Sequence, residues 1–371
     1  MNKFIIVAGA IVALLAAACV TAFFFYKNVF LQADEATIID FIRKYPEKAS
    51  IRIVRNDSVV ADFHSDRMMP LASTVKIIIA IEFARQAAVG RIDPNEVIPL
   101  DSLALFYIPN TDGGAHPQWL QHIKKNEFIQ EGGVPLLQVA KGMVTFSSNA
   151  NTEYLMMRLG LENINRNMKE LGFVQHEELY PFVSSLYVFR NSGNIPEDQF
   201  YKMLKQMSMK EYADESSGFH RRVRNDPDSS FRKTFMFPSL TLQRIWSDRL
   251  PRSTASEYIE LLKKLNSKSF FPEPVQRHLD ALLEWPMELN PRNKDRFRYI
   301  GAKGGSTAFV LTYAMYACDN NGNRSEIVTF FDDLTPLEGQ RLRTALNPFQ
   351  LNVLAKQEFR EKLRDNLALL R

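Results

Sequence analysis

The chain has 371 residues, of which 46% are hydrophobic and 24% charged, with a formal net charge of +4. This composition is that of a globular protein, and it excludes a disordered chain and the strongly basic surface of a nucleic-acid-binding protein. The two cysteines lie far apart in the sequence and the six histidines are scattered, so we expect no metal centre and no cofactor.

The chain begins with an apolar segment. Residues 4–26 are 23 positions without a charged side chain. That length allows a helix to cross a bilayer, so we predict an uncleaved membrane anchor within residues 1–27. A cleaved signal peptide and a lipoprotein signal ending at Cys19 are the alternatives. All three place the remaining chain, residues 28–371, outside the cytoplasm, in the periplasm or at the cell surface.

The next segments predict a helix, a hairpin and a buried helix. Residues 37–46 (TIIDFIRKYP) have apolar side chains on one helical face. Residues 49–63 alternate apolar and polar side chains around Asn56-Asp57, which is a hairpin signal. A buried helix is expected over residues 73–89, ending at the following glycine.

The middle of the chain predicts more helices and two insertions. Residues 101–133 contain prolines and a glycine pair, which indicate an irregular excursion. Helical spacing returns over residues 134–147, and another helix is expected over residues 151–158. Residues 190–250 are polar and weakly periodic, and we interpret them as an inserted helical segment.

The last third predicts two amphipathic helices, then strands around a turn at residues 320–323, then a terminal helix over residues 348–370. Strands thus lie at both ends of the globular part, with helices between them. We therefore predict an α+β fold, in which an antiparallel sheet from both chain ends packs against helices and a mainly helical region is inserted.

The first candidate for chemistry is a serine followed three residues later by a lysine. Ser73 and Lys76 would share one face of a helix. A serine hydroxyl is a weak nucleophile until a base removes its proton, and apolar surroundings lower the pKa of a lysine amine toward that use. Alone, Lys76 is also explained as a lysine that extends its charge to solvent at a helix end.

Two further motifs follow in order, SSN at residues 147–149 and KGGS at residues 303–306. Taken singly, Ser147 and Asn149 are also explained as helix caps, and the glycine pair as a strand distortion. Together with the first motif they match the ordered set S-x-x-K, S-x-N and K-[TS]-G. The chain therefore resembles the serine β-lactamase and penicillin-recognising enzyme superfamily, most of all its class A branch, over residues 35–365.

That resemblance implies acyl transfer. Ser73 would be the acylated nucleophile, and Lys76 would be its general base or would hold a water network that acts as one. Ser147 would relay a proton to the leaving nitrogen, and Asn149 would hydrogen-bond a substrate amide. Lys303 would raise the positive potential and help to hold Ser147.

The resemblance also implies how a substrate is bound. The backbone N–H groups of Ser73 and Ser306 would form the oxyanion hole. Gly305 would line the site, and the hydroxyls of Ser306 and Thr307 would meet the substrate carboxylate. The implied partner is a β-lactam or a peptidoglycan-like small molecule, with no nucleic acid.

Two departures from the class A pattern lie within the motifs. Ser148 stands where aspartate is usual, and that position is mainly structural. Gly304 replaces the hydroxyl residue of K-[TS]-G, which removes a carboxylate contact unless Ser306 or Thr307 supplies it.

The third departure concerns deacylation. The glutamate that deacylates class A enzymes would fall near Phe182, which cannot act as a base. Glu177 and Glu178 are the nearest candidates, although both are also explained as surface residues. The motif spacings exceed those of a compact class A enzyme, and the excess falls in insertions near residues 101–130 and 190–250, which we expect to rim the cleft.

The sequence thus predicts a membrane-anchored, extracytoplasmic serine hydrolase whose leading function is β-lactam hydrolysis. The first alternative is a D-alanyl-D-alanine carboxypeptidase, penicillin-binding protein or esterase of the same fold. The second is a β-lactam or cell-wall sensor that is acylated but turns over slowly. The missing loop glutamate favours the two alternatives, whereas the third motif and the overall layout favour the first function.

Overall fold

The computed structural model describes residues 34–191 and 193–370, together with Ala17 and residues 19–21. Apart from those four positions, the predicted anchor over residues 1–27 lies outside the described residues. None of the described helices is both long enough and apolar enough to cross a bilayer.

The chain divides into two compact units. Ala49–Asp333 forms the larger unit, and the described parts of Met1–Lys48 and Leu334–Arg371 form the smaller one. All of the predicted site residues belong to the larger unit.

Nine strands and fifteen α-helices are found among the described residues. The strands are β1 (Ala49–Arg55), β2 (Ser58–Phe63), β3 (Met69–Pro70), β4 (Val97–Pro99), β5 (Gly133–Pro135), β6 (Arg252–Ser253), β7 (Phe297–Ser306), β8 (Leu311–Asp319) and β9 (Arg324–Phe331). The helices are α1 (Glu35–Lys44), α2 (Lys76–Ala88), α3 (Leu100–Ala104), α4 (Ala115–Lys125), α5 (Leu136–Lys141), α6 (Asn149–Leu159), α7 (Leu161–Glu170), α8 (Glu197–Gln206), α9 (Met209–Arg224), α10 (Leu240–Asp248), α11 (Ala255–Asn266), α12 (Glu273–Leu283), α13 (Trp285–Leu289), α14 (Pro336–Ala355) and α15 (Gln357–Ala368).

A five-stranded antiparallel sheet forms the centre of the larger unit. Its strand order is β2-β1-β9-β8-β7. Strand β1 pairs with β9 from Ala49 opposite Phe331 to Arg55 opposite Ser325, so strands from both ends of this unit are neighbours, as predicted. The β1–β2 turn has positive φ at Asn56 (47°) and Asp57 (61°), the conformation of a tight hairpin turn.

Helix α2 is the most deeply buried helix segment around the site. Its side chains from Ile77 to Ala84 are at most 6% exposed, and it packs against α12, α7 and α6. Burying each large aliphatic side chain contributes about 1.5–3 kcal/mol, so this helix is a rigid base for its first residue, Lys76. The apolar run that follows Lys76 in the sequence is thereby explained.

Two sequence predictions about helices are wrong. The excursion over residues 101–133 is not irregular throughout, because it contains α3 and α4. The terminal helix begins at Pro336 rather than Pro348, which lies inside α14. Thr335 and Glu338 form a reciprocal capping box there, and this start signal outweighs the proline.

The predicted insertion over residues 190–250 belongs to a longer segment, residues 178–251, which is called the second insertion from here on; the hydrogen-bonded residues Glu177 and Arg252 that flank it are called its neck. Glu177 N donates to Arg252 O at 2.9 Å, and Arg252 N donates to the Glu177 carboxylate at 2.9 Å. Next to this neck, β3 pairs with β6, with Met69 opposite Ser253. Residues 178–251, which contain α8, α9 and α10, therefore leave and rejoin the fold beside the strand that leads to Ser73.

Candidate active site

Ser73 lies at a sharp turn between β3 and α2. Ala72, directly before it, has φ +45°, a left-handed conformation that costs energy for a residue with a Cβ. Residues Ala72–Val75 form a 3-10 turn that continues into α2, so the predicted helix start at Ser73 is a tighter turn instead. The half-buried Ser73 side chain is thus presented at the end of a rigid helix, and strain of this kind is common at functional sites.

Lys76 is buried completely, with 0% of its surface exposed. Its Nζ donates to Ser147 O at 2.8 Å, to Asn149 Oδ1 at 3.1 Å and to Ser147 Oγ at 3.3 Å. Burial, and next the charge of Lys303, lower the pKa of Lys76 well below its ordinary value. Lys76 therefore does not extend to solvent, and its amine is shifted toward the neutral form that a general base needs.

Lys303 reaches the same serine hydroxyl from β7. Its Nζ donates to Ser147 Oγ at 3.0 Å and to Gly304 O at 2.8 Å. Lys303 is 3% exposed, and burial lowers its pKa to about 7. The Ser147 hydroxyl thus lies between two buried amines and can exchange protons with both.

The titration of Lys303 predicts a pH-dependent stability. Above pH 7 the folded chain has released this proton, whereas the unfolded chain, with the ordinary value of 10.5, still binds it. The unfolded state then binds more protons, so the free energy of unfolding rises with pH. Between pH 7 and 9 the wild type should gain about 2 kcal/mol relative to Lys303→Met.

Urea unfolding of both chains at pH 7, 8 and 9 measures this gain. Lys169→Met, at an exposed lysine on α7, is the matched control and should follow the wild type. Parallel pH curves for the wild type and Lys303→Met would show that Lys303 keeps its proton in the fold.

An unusual helical turn sets the position of Ser147. Helix α5 continues into a π-helical turn, Gly142–Phe146, and Ser147 follows with φ +69°. A Cβ at Gly142 would lie 2.1 Å from Asn151 Nδ2 and 2.6 Å from Trp119 Nε1, so only glycine fits. Single π turns of this type occur frequently at functional sites.

Two residues of the first insertion (residues 101–130) contact the second motif (residues 147–149). Ser148 is fully buried, and its Oγ accepts from Asn151 N at 3.3 Å and lies 2.9 Å from His116 Nδ1. Asn149 Nδ2 donates to Thr111 O at 3.3 Å. Ser148 therefore has the structural role expected for its position. The sequence carried no signal for His116 or Thr111, because both act across more than 30 residues.

Gly305 lies next to the turn that carries Ser73. A Cβ at Gly305 would be 2.4 Å from Ser73 N and 2.8 Å from Thr74 N. Thr312 on β8 ties the same turn to the sheet, since its Oγ1 donates to Leu71 O at 2.8 Å. The close approach that glycine permits brings the Ser73 N–H group next to the end of β7.

The two hydroxyl residues after Gly305 differ in their surroundings. Ser306 is exposed at the end of β7. Thr307 Oγ1 accepts from Phe309 N and Val310 N, both at 3.1 Å, and from Ser247 Oγ on α10 at 2.8 Å. Ser306 is therefore open to a substrate, whereas Thr307 links the β7–β8 turn to the second insertion.

The candidate deacylation bases lie at the neck of the second insertion. The Glu177 carboxylate accepts from Arg252 N, and burial raises its pKa. Glu178 is exposed, and Phe182 is 3% exposed. Within the described part of the chain, no carboxylate hydrogen-bonds to Lys76, Ser147 or Lys303.

Glu153, which the sequence analysis missed, joins α6 to the second insertion. Its buried carboxylate accepts from Val183 N at 2.9 Å, Ser184 Oγ at 2.6 Å and His220 Nδ1 at 2.6 Å. Burial alone would raise the pKa of Glu153, but the hydrogen bonds from His220, Ser184 and Val183 lower it overall. A mid-helix glutamate gives no sequence signal for such a contact.

Glu153→Ala should lower the free energy of unfolding by about 3 kcal/mol, because several buried donors would lose their acceptor. Urea unfolding at pH 7 measures the loss. Glu178→Ala, at an exposed glutamate of the same insertion, is the matched control and should stay within about 0.5 kcal/mol of the wild type. Equal unfolding midpoints for Glu153→Ala and Glu178→Ala would contradict the role given to Glu153.

A family model described as the β-lactamase enzyme family matches residues 34–284 of this chain. This protein belongs to that family. The predicted relation to penicillin-recognising serine hydrolases is thereby confirmed. A search of curated proteins found no match to the chain.

Three solved structures resemble this β-lactamase-family chain. A β-lactamase from Sphaerobacter thermophilus has a TM-score of 0.52 at 15% identity, covering 87% of this chain and 97% of that one. A β-lactamase from Chitinophaga pinensis has a TM-score of 0.50 at 13% identity, covering 85% and 98%. A variant of PBP-A, in an acyl-enzyme complex with penicillin G, has a TM-score of 0.50 at 15% identity, covering 86% and 96%. At such identities the likeness shows the fold, which is the predicted class A-like α+β fold.

Proposed function

We propose that this protein is an extracytoplasmic serine hydrolase that opens β-lactam rings through an acyl-enzyme at Ser73. The observation that carries the proposal is the Ser147 hydroxyl held between the buried amines of Lys76 and Lys303, at 3.3 and 3.0 Å. Such a cluster has no evident structural purpose, because burying two amines costs stability. It suits a reaction in which a proton must move from a nucleophile to a leaving nitrogen.

In the proposed acylation, the proton that leaves Ser73 is replaced by one that reaches the leaving nitrogen. Ser73 Oγ attacks the lactam carbonyl carbon, and its proton passes to the neutral Lys76 amine. The N–H groups of Ser73 and Ser306 stabilise the oxyanion. When the C–N bond breaks, the nitrogen takes the Ser147 hydroxyl proton, and Ser147 is reprotonated by Lys76.

The proposed substrate contacts involve the ends of the second and third motifs. Asn149 is oriented by Lys76 at its oxygen and by Thr111 O at its nitrogen, which leaves one N–H for a substrate amide. Lys303, which is protonated in about half of the molecules at pH 7, and the open hydroxyl of Ser306 receive the substrate carboxylate. Gly304 contributes no hydroxyl there, so we expect carboxylate binding to depend on Ser306.

A second candidate function is a penicillin-binding protein, a D-alanyl-D-alanine carboxypeptidase or a sensor with a long-lived acyl-enzyme. The observation that favours it is the engagement of the nearby carboxylates elsewhere. Glu177 accepts from the backbone of Arg252, and Glu153 binds the second insertion. Neither is then free to activate the water that would hydrolyse the ester.

One experiment separates these functions. The purified chain is incubated with a chromogenic cephalosporin and with a fluorescent penicillin, while turnover and intact mass are followed. Steady turnover that disappears in Ser73→Ala supports β-lactam hydrolysis. A stable adduct without turnover supports the penicillin-binding or sensor function. If the chain showed no turnover and formed no adduct, the β-lactam proposal would be wrong. Peptidase and esterase substrates would then be assayed.

The proposed location rests on the 23 uncharged residues at positions 4–26. We propose that they anchor the hydrolase to the membrane with the site on the outer side. Alkaline phosphatase fused after residue 33 should then be active in a bacterial host, because that enzyme needs export for its disulfides. An inactive fusion would place the site in the cytoplasm.

A further inference from the structure

A cavity of about 110 Å³ lies between α4, α5 with its π turn, and α13. Its walls include Trp119, Phe146 and Trp285, with Leu289 at the rim. Lys141 and Glu288 also line it and form an ion pair at 2.7 Å. Four of the nine lining residues thus carry rings, since His122 also lines the cavity, and the others are Gln138, Thr145, Leu289 and the two residues of the ion pair.

The N–H groups of both indoles are already engaged, so neither is a free donor to the cavity. Trp119 Nε1 donates to Gln138 O at 3.1 Å, and Trp285 Nε1 donates to Ala302 O at 2.7 Å. With their polar atoms engaged, these side chains favour an occupant with a π-face of its own. An apolar cavity of about 150 Å³ accepts benzene, so this smaller space takes at most a single ring, and only if one of its walls moves.

The cavity walls are attached to the proton-handling side chains. Phe146 directly precedes Ser147, and Trp285 is hydrogen-bonded to the residue before Lys303. The Trp119 side chain cannot move toward Gly142, because its indole is packed so closely there that even a Cβ at Gly142 would not fit. Phe146 and Trp285 are both half-buried, but the hydrogen bond to Ala302 O holds Trp285, so we expect Phe146 to be the wall that moves when a ring enters.

We propose that this cavity binds a single-ring aromatic molecule, and that its occupation slows acylation of Ser73. The bound ring displaces Phe146 outward, and Ser147 follows because it is the next residue. Its hydroxyl then moves away from the amines of Lys303 and Lys76. The binding stands on the cavity alone, whereas the effect on acylation rests on the proposed function.

Quenching of tryptophan fluorescence by 4-nitrobenzyl alcohol tests the binding, since two of the three tryptophans line the cavity. We expect saturable quenching that benzyl alcohol reverses and cyclohexylmethanol does not. Leu289→Phe, at a rim residue that is 59% exposed, should close the entrance and abolish the saturable part. Leu240→Phe, at an equally exposed leucine on α10, is the matched control. Quenching without saturation, or equal reversal by cyclohexylmethanol, would overturn the aromatic site.

Labelling by fluorescent penicillin tests the coupling. Saturating benzyl alcohol should slow the labelling of the wild type about fivefold or more, and should leave the labelling rate of Leu289→Phe unchanged. Unaltered labelling of a wild type that binds the ring would overturn the inhibitory effect. A chain that penicillin never labels would contradict the proposed function instead, and the quenching titration would still decide the binding site.

Discussion

Ser73→Ala should abolish covalent labelling by fluorescent penicillin and lower the turnover of a chromogenic cephalosporin on the order of 10⁴-fold or more. The hydroxyl is the only atom of this side chain that can form the ester. The substitution removes one half-buried oxygen in the 3-10 turn before α2, so the fold should be retained. The measurements are intact mass after incubation with penicillin and the rate of cephalosporin hydrolysis.

Ser58→Ala, at an exposed serine at the start of β2, is the control for this variant and should keep full labelling. Circular dichroism of both variants checks that the fold is intact. If Ser73→Ala still formed an adduct at the wild-type rate, the nucleophile would be another residue and the proposed mechanism would fail.

Lys76→Arg should slow acylation by about 10²–10⁴-fold, the usual contribution of a general base. Arginine keeps a positive charge at every accessible pH and cannot take the proton from Ser73. Because a buried arginine strains the fold, Lys76→Met is the second variant: it matches the apolar stem and lacks the amine. Both variants should lose acylation to a similar degree, measured as the second-order rate constant with fluorescent penicillin.

The pH dependence distinguishes a base from a merely structural lysine. The pKa of Lys76 is lowered, so wild-type acylation should rise with pH as this amine loses its proton, whereas Lys76→Met should not show that rise. Lys210→Arg, at an exposed lysine paired with Asp214, is the control and should behave as the wild type. If Lys76→Met were acylated at the wild-type rate, Lys76 would not be the general base.

The sequence was sufficient for the candidate site because its motifs are local. Ser73 and Lys76 are three residues apart, and each of the other motifs spans only a few positions, so order and spacing are visible without a fold. The α+β class followed from the distribution of strands and helices along the chain. The prediction of an inserted helical segment over residues 190–250 rests on a polar, weakly periodic stretch that interrupts the regular apolar periodicity.

Contacts between distant segments were not predictable in this way. Glu153 binds residues of the second insertion, and Ser148 contacts His116 across 32 positions. A glutamate or histidine in a helix has the same local pattern whether it is exposed or paired, because pairing depends on how the chain packs. The start of the terminal helix differs for a local reason, because Thr335 and Glu338 cap the helix at Pro336 and Pro348 is accommodated inside it.

The sequence by itself determined the family, the fold class and the identity of Ser73, Lys76 and Lys303 as candidates, because these follow from residue types at short spacings. Only the tertiary structure decided that both lysines are buried against one hydroxyl at Ser147. That arrangement lowers their pKa values, since packing removes water that would otherwise stabilise the charged amines. Tertiary structure also decided that Glu177 is held by Arg252 rather than turned toward Lys76, because the neck of the second insertion closes there.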